Sequence, residues 1–284
     1  VSGNPIGMNT GMTFKGSGEL DGGQTFSVST TLTDKAVYST SNITLVTNSV
    51  GTFKLSSAEG SGGIGGFDDV SPTAWEEVWD SAIATNVNMQ KGVGSSMNVN
   101  WSSPSMFGTQ LHLAYSPDND GSQPTNKATS GSTSDHLGAG WDVVLDINPQ
   151  WDNFGFRTFV GASETQIGKD KTLTKNLQGE HQEAVVGLGL TFGPVVLGGQ
   201  VSAERTRAQA AGAAEYYGNT SWGVAFNVND NLSVSYSEAR HVQSTNAKQS
   251  WADGGAILVT MAANKNIRNF NEYTPKSWMR GSSV

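Results

Sequence analysis

At 284 residues with 36% apolar and 15% charged side chains, the chain is long enough for one large domain or two small ones but too poor in apolar residues for a thick two-sided core. Its 35 glycines, set among many Ser, Thr and Asn, suit strands with one apolar and one polar face. A net charge of −8 without a basic run longer than two residues excludes nucleic acid as a partner, and no cysteine is present to build a disulfide framework. No run of about eighteen apolar residues supplies a transmembrane helix.

The chain opens at Val1 without an initiator Met, as expected of a processed or incomplete chain. Met12, Phe14, Gly16, Gly18 and Leu20 alternate with polar residues, and Asp21-Gly22-Gly23 predicts a hairpin turn. Gln24 to Thr33 returns, residues 34 to 40 read as a loop, Asn42 to Thr47 is a third strand, and Asn48 to Gly51 turns into Thr52-Phe53-Lys54-Leu55-Ser56. The alternation then stops.

Residues 58 to 92 carry Glu59, Asp68, Asp69, Glu76, Glu77 and Asp80 against the single Lys91. A glycine-rich entry and the apolar residues Ile64, Phe67, Trp75 and Trp79 accompany them. A solvated loop has no use for two tryptophans, so this excursion is expected to fold against the rest of the chain.

Strands resume at Met97, Val99 and Trp101, cross the short Ser103-Pro104 link to Leu111, Leu113 and Tyr115, and meet a polar loop at 117 to 137. Trp141 to Ile147, Phe154 to Val160, Val186 to Phe192, Val195 to Glu204, Trp222 to Val228, Leu232 to Tyr236 and Ala256 to Met261 follow, with a weaker pattern near 267 to 273. Loops are expected at 166 to 181 and 207 to 216. Strands come in pairs joined by short turns, and successive pairs are joined by long polar loops. That sorting predicts an all-β, transmembrane antiparallel β-barrel of the bacterial outer membrane, with about fourteen strands visible in one domain spanning 1 to 284. A soluble sandwich would have to cover every apolar face and would not sort its loops by length. Trp101, Tyr115, Trp141, Tyr217, Trp222 and Tyr236 are expected in interfacial girdles.

The run Phe14-Lys15-Gly16-Ser17-Gly18-Glu19-Leu20-Asp21-Gly22-Gly23, the stretch Val50-Gly51-Thr52-Phe53-Lys54-Leu55 and the acidic Gly65-Gly66-Phe67-Asp68-Asp69 resemble the general bacterial porins, and more loosely their alphaproteobacterial members. The resemblance implies a sixteen-stranded barrel whose third external loop folds into the lumen. In such a barrel one strand precedes residue 11 and another follows the last visible one, so truncation at both ends, or a chain that departs from the family there, is expected. It also implies a homotrimer in contact with outer-membrane lipid and lipopolysaccharide, with the 34 to 40 loop and Tyr38 as a latch onto a neighbouring copy.

With the apolar set facing lipid, the lumen is lined by Lys15, Glu19, Lys54, Gln110, His112, Asp142, Asp146, Arg157, Gln200 and Glu204. The six loop carboxylates would oppose the wall cations Lys15, Lys54 and Arg157 across a constriction and give a transverse field. The function expected is passive diffusion of small hydrophilic solutes and ions with mild cation selectivity. The alternative is a non-conducting barrel serving as adhesin, surface-layer anchor or phage receptor.

Asp118-Asn119-Asp120-Gly121 offers a partial calcium loop, with Asp118 and Asp120 as weak calcium ligands, but lacks the distal bidentate Glu; no other cofactor is expected. His112, His136, His181 and His241 show no metal-ligand spacing in sequence. No Gly-x-Ser-x-Gly elbow occurs in a strand-to-helix context, and an enzymatic role would need a Ser-His pair at the barrel wall.

Overall fold

The computed structural model describes residues 11–33, 38–57, 63–67, 70–73, 90–93, 97–117, 137–149, 151–152, 154–167, 180–205, 214–229, 232–245 and 249–261. Its strands are β1 (Met12–Glu19), β2 (Thr25–Leu32), β3 (Tyr38–Val46), β4 (Thr52–Ser57), β5 (Asn98–Ser102), β6 (Thr109–Ser116), β7 (Leu137–Ile147), β8 (Phe154–Ile167), β9 (His181–Phe192), β10 (Val195–Arg205), β11 (Ala214–Asn229), β12 (Leu232–Thr245) and β13 (Gln249–Met261). Among the described residues these thirteen strands form one sheet in which each pairs with its neighbours in sequence, and each pairing is antiparallel. The strand expected near 267 to 273 and the one expected before residue 11 lie outside the described residues.

Residue alternation separates two unlike faces. Along β9, Glu183, Val185, Gly187, Gly189 and Thr191 are buried while Gln182, Ala184, Val186, Leu188 and Phe192 are exposed. Register continues the exposed set sideways: Leu55 pairs with Val99, Val99 with Tyr115 and Tyr115 with Trp141, and Val160, Val186 and Val201 line up across β8, β9 and β10. All of these side chains are exposed. A contiguous apolar band of that extent needs a nonpolar solvent, which a bilayer supplies. The other face carries buried polar groups, among them Asn98, Asn100, His112, Asp142, Arg157, Gln200 and Ser221.

One end of the sheet carries tight turns. The N–H of Gly23 donates to the Leu20 carbonyl and that of Leu20 to the Gln24 carbonyl, both at 2.8 Å, closing the first hairpin. Gly51, at φ 101, has no room for a side chain, because a Cβ there would lie 2.1 Å from the Ser102 carbonyl oxygen. At this end Trp101 donates its indole N–H to the Val50 carbonyl at 2.9 Å. Trp151, Phe154 and Phe192 form a chain of rings with centroids 5.5 and 4.8 Å apart, adding an aromatic rim not anticipated from sequence.

Three expectations are corrected. First, β11 begins at Ala214 and β12 runs to Thr245, where β13 follows after residues 246–248, so the expected loop at 207 to 216 is shorter and one link between pairs is not long. Trp222 and Tyr236, whose rings lie 5.5 Å apart, therefore lie within long strands whose loop-side ends extend beyond them. Second, Tyr217 pairs with Glu204 and shares the parity of buried Asn219 and Ser221, which turns it to the inner face and out of the girdle. Third, residues 38 to 40 open β3 and are not part of a loop at 34 to 40; within that strand the Tyr38 hydroxyl is 3.0 Å from Ser41 Oγ and donates to the Ser57 carbonyl at 3.4 Å.

Candidate functional site

The described residues of the excursion after β4, 63–67, 70–73 and 90–93, lie on the inner face, and side chains from β7 to β11 hold them there. The outgoing limb makes one turn of 3-10 helix, Ile64–Gly66, before Phe67. The backbone N–H of Ile64 donates to Asp142 Oδ2 at 3.1 Å, and that of Val93 on the returning limb donates to Oδ1 at 3.1 Å. One carboxylate on β7 thus gathers both limbs. On β9, Glu183 accepts from the N–H groups of Lys91, at 3.0 Å, and Gly92. Gln200 on β10 accepts from the Val70 N–H at 3.2 Å, and Ser71 donates its hydroxyl to Ser221 on β11 at 2.7 Å. Gln90 closes the loop on itself by donating to the Phe67 carbonyl at 2.9 Å.

These bonds make physical sense as a set. A loop packed away from water carries backbone N–H groups with no ladder to join, and each unsatisfied group would cost about 1 to 3 kcal/mol. Side-chain oxygens on the wall satisfy them, carboxylates at Asp142 and Glu183 and a neutral amide at Gln200. Between loop and wall lies a small apolar core of Ile64, Phe67, Val70, Val144, Phe159, Val185, Val196 and Ala225. The wall also recedes where the loop touches it: a Cβ on Gly223 would meet the Pro72 carbonyl oxygen at 2.6 Å.

Arg157 sits at the edge of this core. It is only 1% exposed, donates through Nε and one terminal nitrogen to the two oxygens of Asp146 at 2.9 Å each, and lies 5.3 and 5.5 Å from the ring centroids of Phe67 and Phe159. Phe67 also packs against Phe159 at 5.1 Å and His112 at 5.4 Å between centroids. The pair is bidentate, so the guanidinium is a neutralised pedestal beneath the loop, stacked on aromatic faces.

Of the expected wall cations, Arg157 is therefore paired, Lys54 is half-buried and alternates with outward Phe53 and Leu55, and Lys15 is exposed on β1. Glu59, Asp68, Asp69, Glu76, Glu77 and Asp80, with Trp75 and Trp79, lie outside the described residues, as do Asp118 and Asp120. Phe67 pins the loop as expected. Alternation in the sequence marks Asp142 and Gln200 as lumen lining, but no sequence pattern signals the latching roles of Asp142, Glu183, Gln200 and Ser221.

A Ser-His pair does stand at the wall, with Ser102 Oγ 2.9 Å from His112 Nδ1. Among the described residues His112 Nε2 is buried without a hydrogen-bond partner, so none of them orients the ring from its far side as the third member of a catalytic triad would. A cavity of about 760 Å³ opens beside it at the short-turn end, lined by Gln110, Asp146, Asn148 and Trp151 among others.

An antiparallel meander with an apolar outer band, tight turns at one end and a long loop fastened across its inner wall defines a transmembrane β-barrel channel. A family model described as Gram-negative porin matches residues 2–256, and the chain belongs to that family. It is accordingly a non-enzymatic channel protein of the bacterial outer membrane.

Among solved structures, the chain is similar to an anion-selective porin from Comamonas acidovorans (15% identity, TM-score 0.50, covering 86% of this chain and 71% of that one). It is also similar to a loop L8 deletion mutant of OmpT, an outer membrane protein of Vibrio cholerae (9%, 0.53, 88% and 78%). A third is Salmonella typhi OmpF in complex with daunomycin (12%, 0.52, 87% and 74%). At these identities the likeness is one of fold. The comparison with curated proteins finds no match.

Proposed function

We propose that this porin is a homotrimeric, water-filled channel for passive diffusion of small hydrophilic solutes and ions, with a mild preference for cations. The observation that carries the reading is the loop fastened to the inner wall at four strands, from Asp142 on β7 to Ser221 on β11. A loop so held narrows the lumen without plugging it by chance collapse, and a fixed constriction is what sorts solutes by size and charge. The cation preference rests on charge count: residues 58 to 92 carry six carboxylates against Lys91, and the wall's Arg157 is already cancelled by Asp146. The similar Comamonas protein is described as anion-selective, the opposite sign to the one proposed here.

Planar-bilayer recording tests the reading. Stepwise conductance in multiples of three, with a reversal potential displaced toward the cation equilibrium in a salt gradient, is expected. Folded protein that inserts without conducting steps would instead support a surface-binding barrel. Within the channel reading, Asp68→Asn with Asp69→Asn should lower the cation preference, and an unchanged reversal potential would place the selecting charges elsewhere.

A further inference from the structure

We propose that His181, Glu183 and Glu204 form a binding site for a divalent transition-metal ion of the zinc class, at the long-loop end of the inner wall. The three come together through strand geometry. His181 and Glu183 are two apart on β9 and so share a face, and the register sets Glu204 of β10 directly opposite Glu183. His181 Nε2 lies 3.4 Å from Glu183 Oε1 and 3.3 Å from Glu204 Oε1, and one ligand atom from each of the three falls within 4.8 Å of the others. Metal bonds of about 2.0 to 2.1 Å in a tetrahedron set donors roughly 3.3 Å apart, so the two shorter edges already have the spacing such an ion requires.

The donor chemistry selects the class of ion. One imidazole and two carboxylates suit zinc and its neighbours, whereas calcium and magnesium take oxygen ligands. The carboxylate side chains are 2% and 7% exposed and the imidazole 20%, which leaves an open side for entry and for a water ligand. Both oxygens of Glu183 accept a backbone N–H: Oε1, which faces His181, from Lys91, and Oε2 from Gly92; these bonds fix the orientation of the carboxylate. Because that carboxylate also holds the returning limb of the loop, an ion there joins loop and wall at a shared residue, and adds positive charge to the channel. The sequence shows no metal spacing around its histidines because Glu204 arrives through strand pairing, 21 residues beyond Glu183.

The test is calorimetric titration of the full-length, detergent-folded protein with zinc chloride, alongside the visible spectrum of the cobalt(II)-loaded protein. One ion per chain is expected, with the intense absorption of four-coordinate cobalt and much weaker binding of calcium. His181→Gln, at a partly exposed strand start, should weaken zinc binding about tenfold or more and abolish the cobalt band, while the His136→Ala, His241→Ala double variant retains both. Equal zinc affinity in His181→Gln, loss of binding only in the double variant, or calcium bound as tightly as zinc would each overturn the proposal. Metal binding is read here without conductance, so failure of the site leaves the channel reading standing and the reverse also holds.

Discussion

Arg157 shows how a residue's face can be legible in the sequence while its partners are not. Its parity, opposite Phe156 and Thr158, puts it on the inner face, as the sequence suggests. A sequence cannot show that Asp146, 11 residues away, meets it fork to fork and that Phe67 arrives from across the lumen to cover it. Removing the guanidinium leaves a carboxylate without its partner and opens a gap under the loop. Arg157→Ala is expected to lower stability by about 3 kcal/mol, the lower end for breaking a buried pair, whereas Arg157→Lys keeps charge but loses the bidentate fit. Denaturant titration of both variants in detergent checks this; equal midpoints for wild type and Arg157→Ala would mean that solvent in the lumen screens the pair.

Among the elements, the loop and the wall are coupled through contacts of long range. Asp142 lies 78 residues from Ile64 and 49 from Val93, so no periodicity in the sequence connects them, and alternation alone marks Asp142 as facing inward. The extra length of β11 and β12 escaped for another reason. A strand needs about 9 to 11 residues to cross a bilayer, and β11 has 16. The part that projects beyond the lipid needs no apolar outer face, so Ala214 to Thr220 shows none of the alternation that marks Trp222 to Val228. At the latch, Asp142→Asn replaces one of two acceptor oxygens with a donor that confronts a backbone N–H. Hydrogen exchange at Ile64 and Val93 in the folded protein should accelerate about tenfold, as befits one charge-assisted hydrogen bond lost. Lys91 and Gly92 amides, bonded to Glu183, should change less; unchanged protection at all four would show that the apolar contacts around Phe67 hold the loop alone.

At the scale of the whole molecule the sheet is a boundary between two solvents, and the sequence states this openly because each strand must satisfy both. Leu55, Val99 and Tyr115 repeat an outer band, while Asn98, Asn100 and Ser116 keep the inner wall polar. What alternation leaves unstated is where the inner wall turns apolar. Val144, Phe159 and Val185 share their parity with Asp142, Arg157 and Glu183, and only the loop that covers them explains their chemistry. The two faces therefore answer differently to the same charge. Val186, half exposed on the outer face of β9 between Val160 and Val201, lies in the middle of the apolar band. In a lipid bilayer Val186→Arg should destabilise the barrel by about 2 to 4 kcal/mol, the penalty for a cation near the midplane. Unfolding measured in lipid vesicles reads that penalty directly. A water-facing sheet would tolerate the same arginine with a change near zero, so a null result in vesicles would contradict the orientation from which the loop, the latch and the pore all follow.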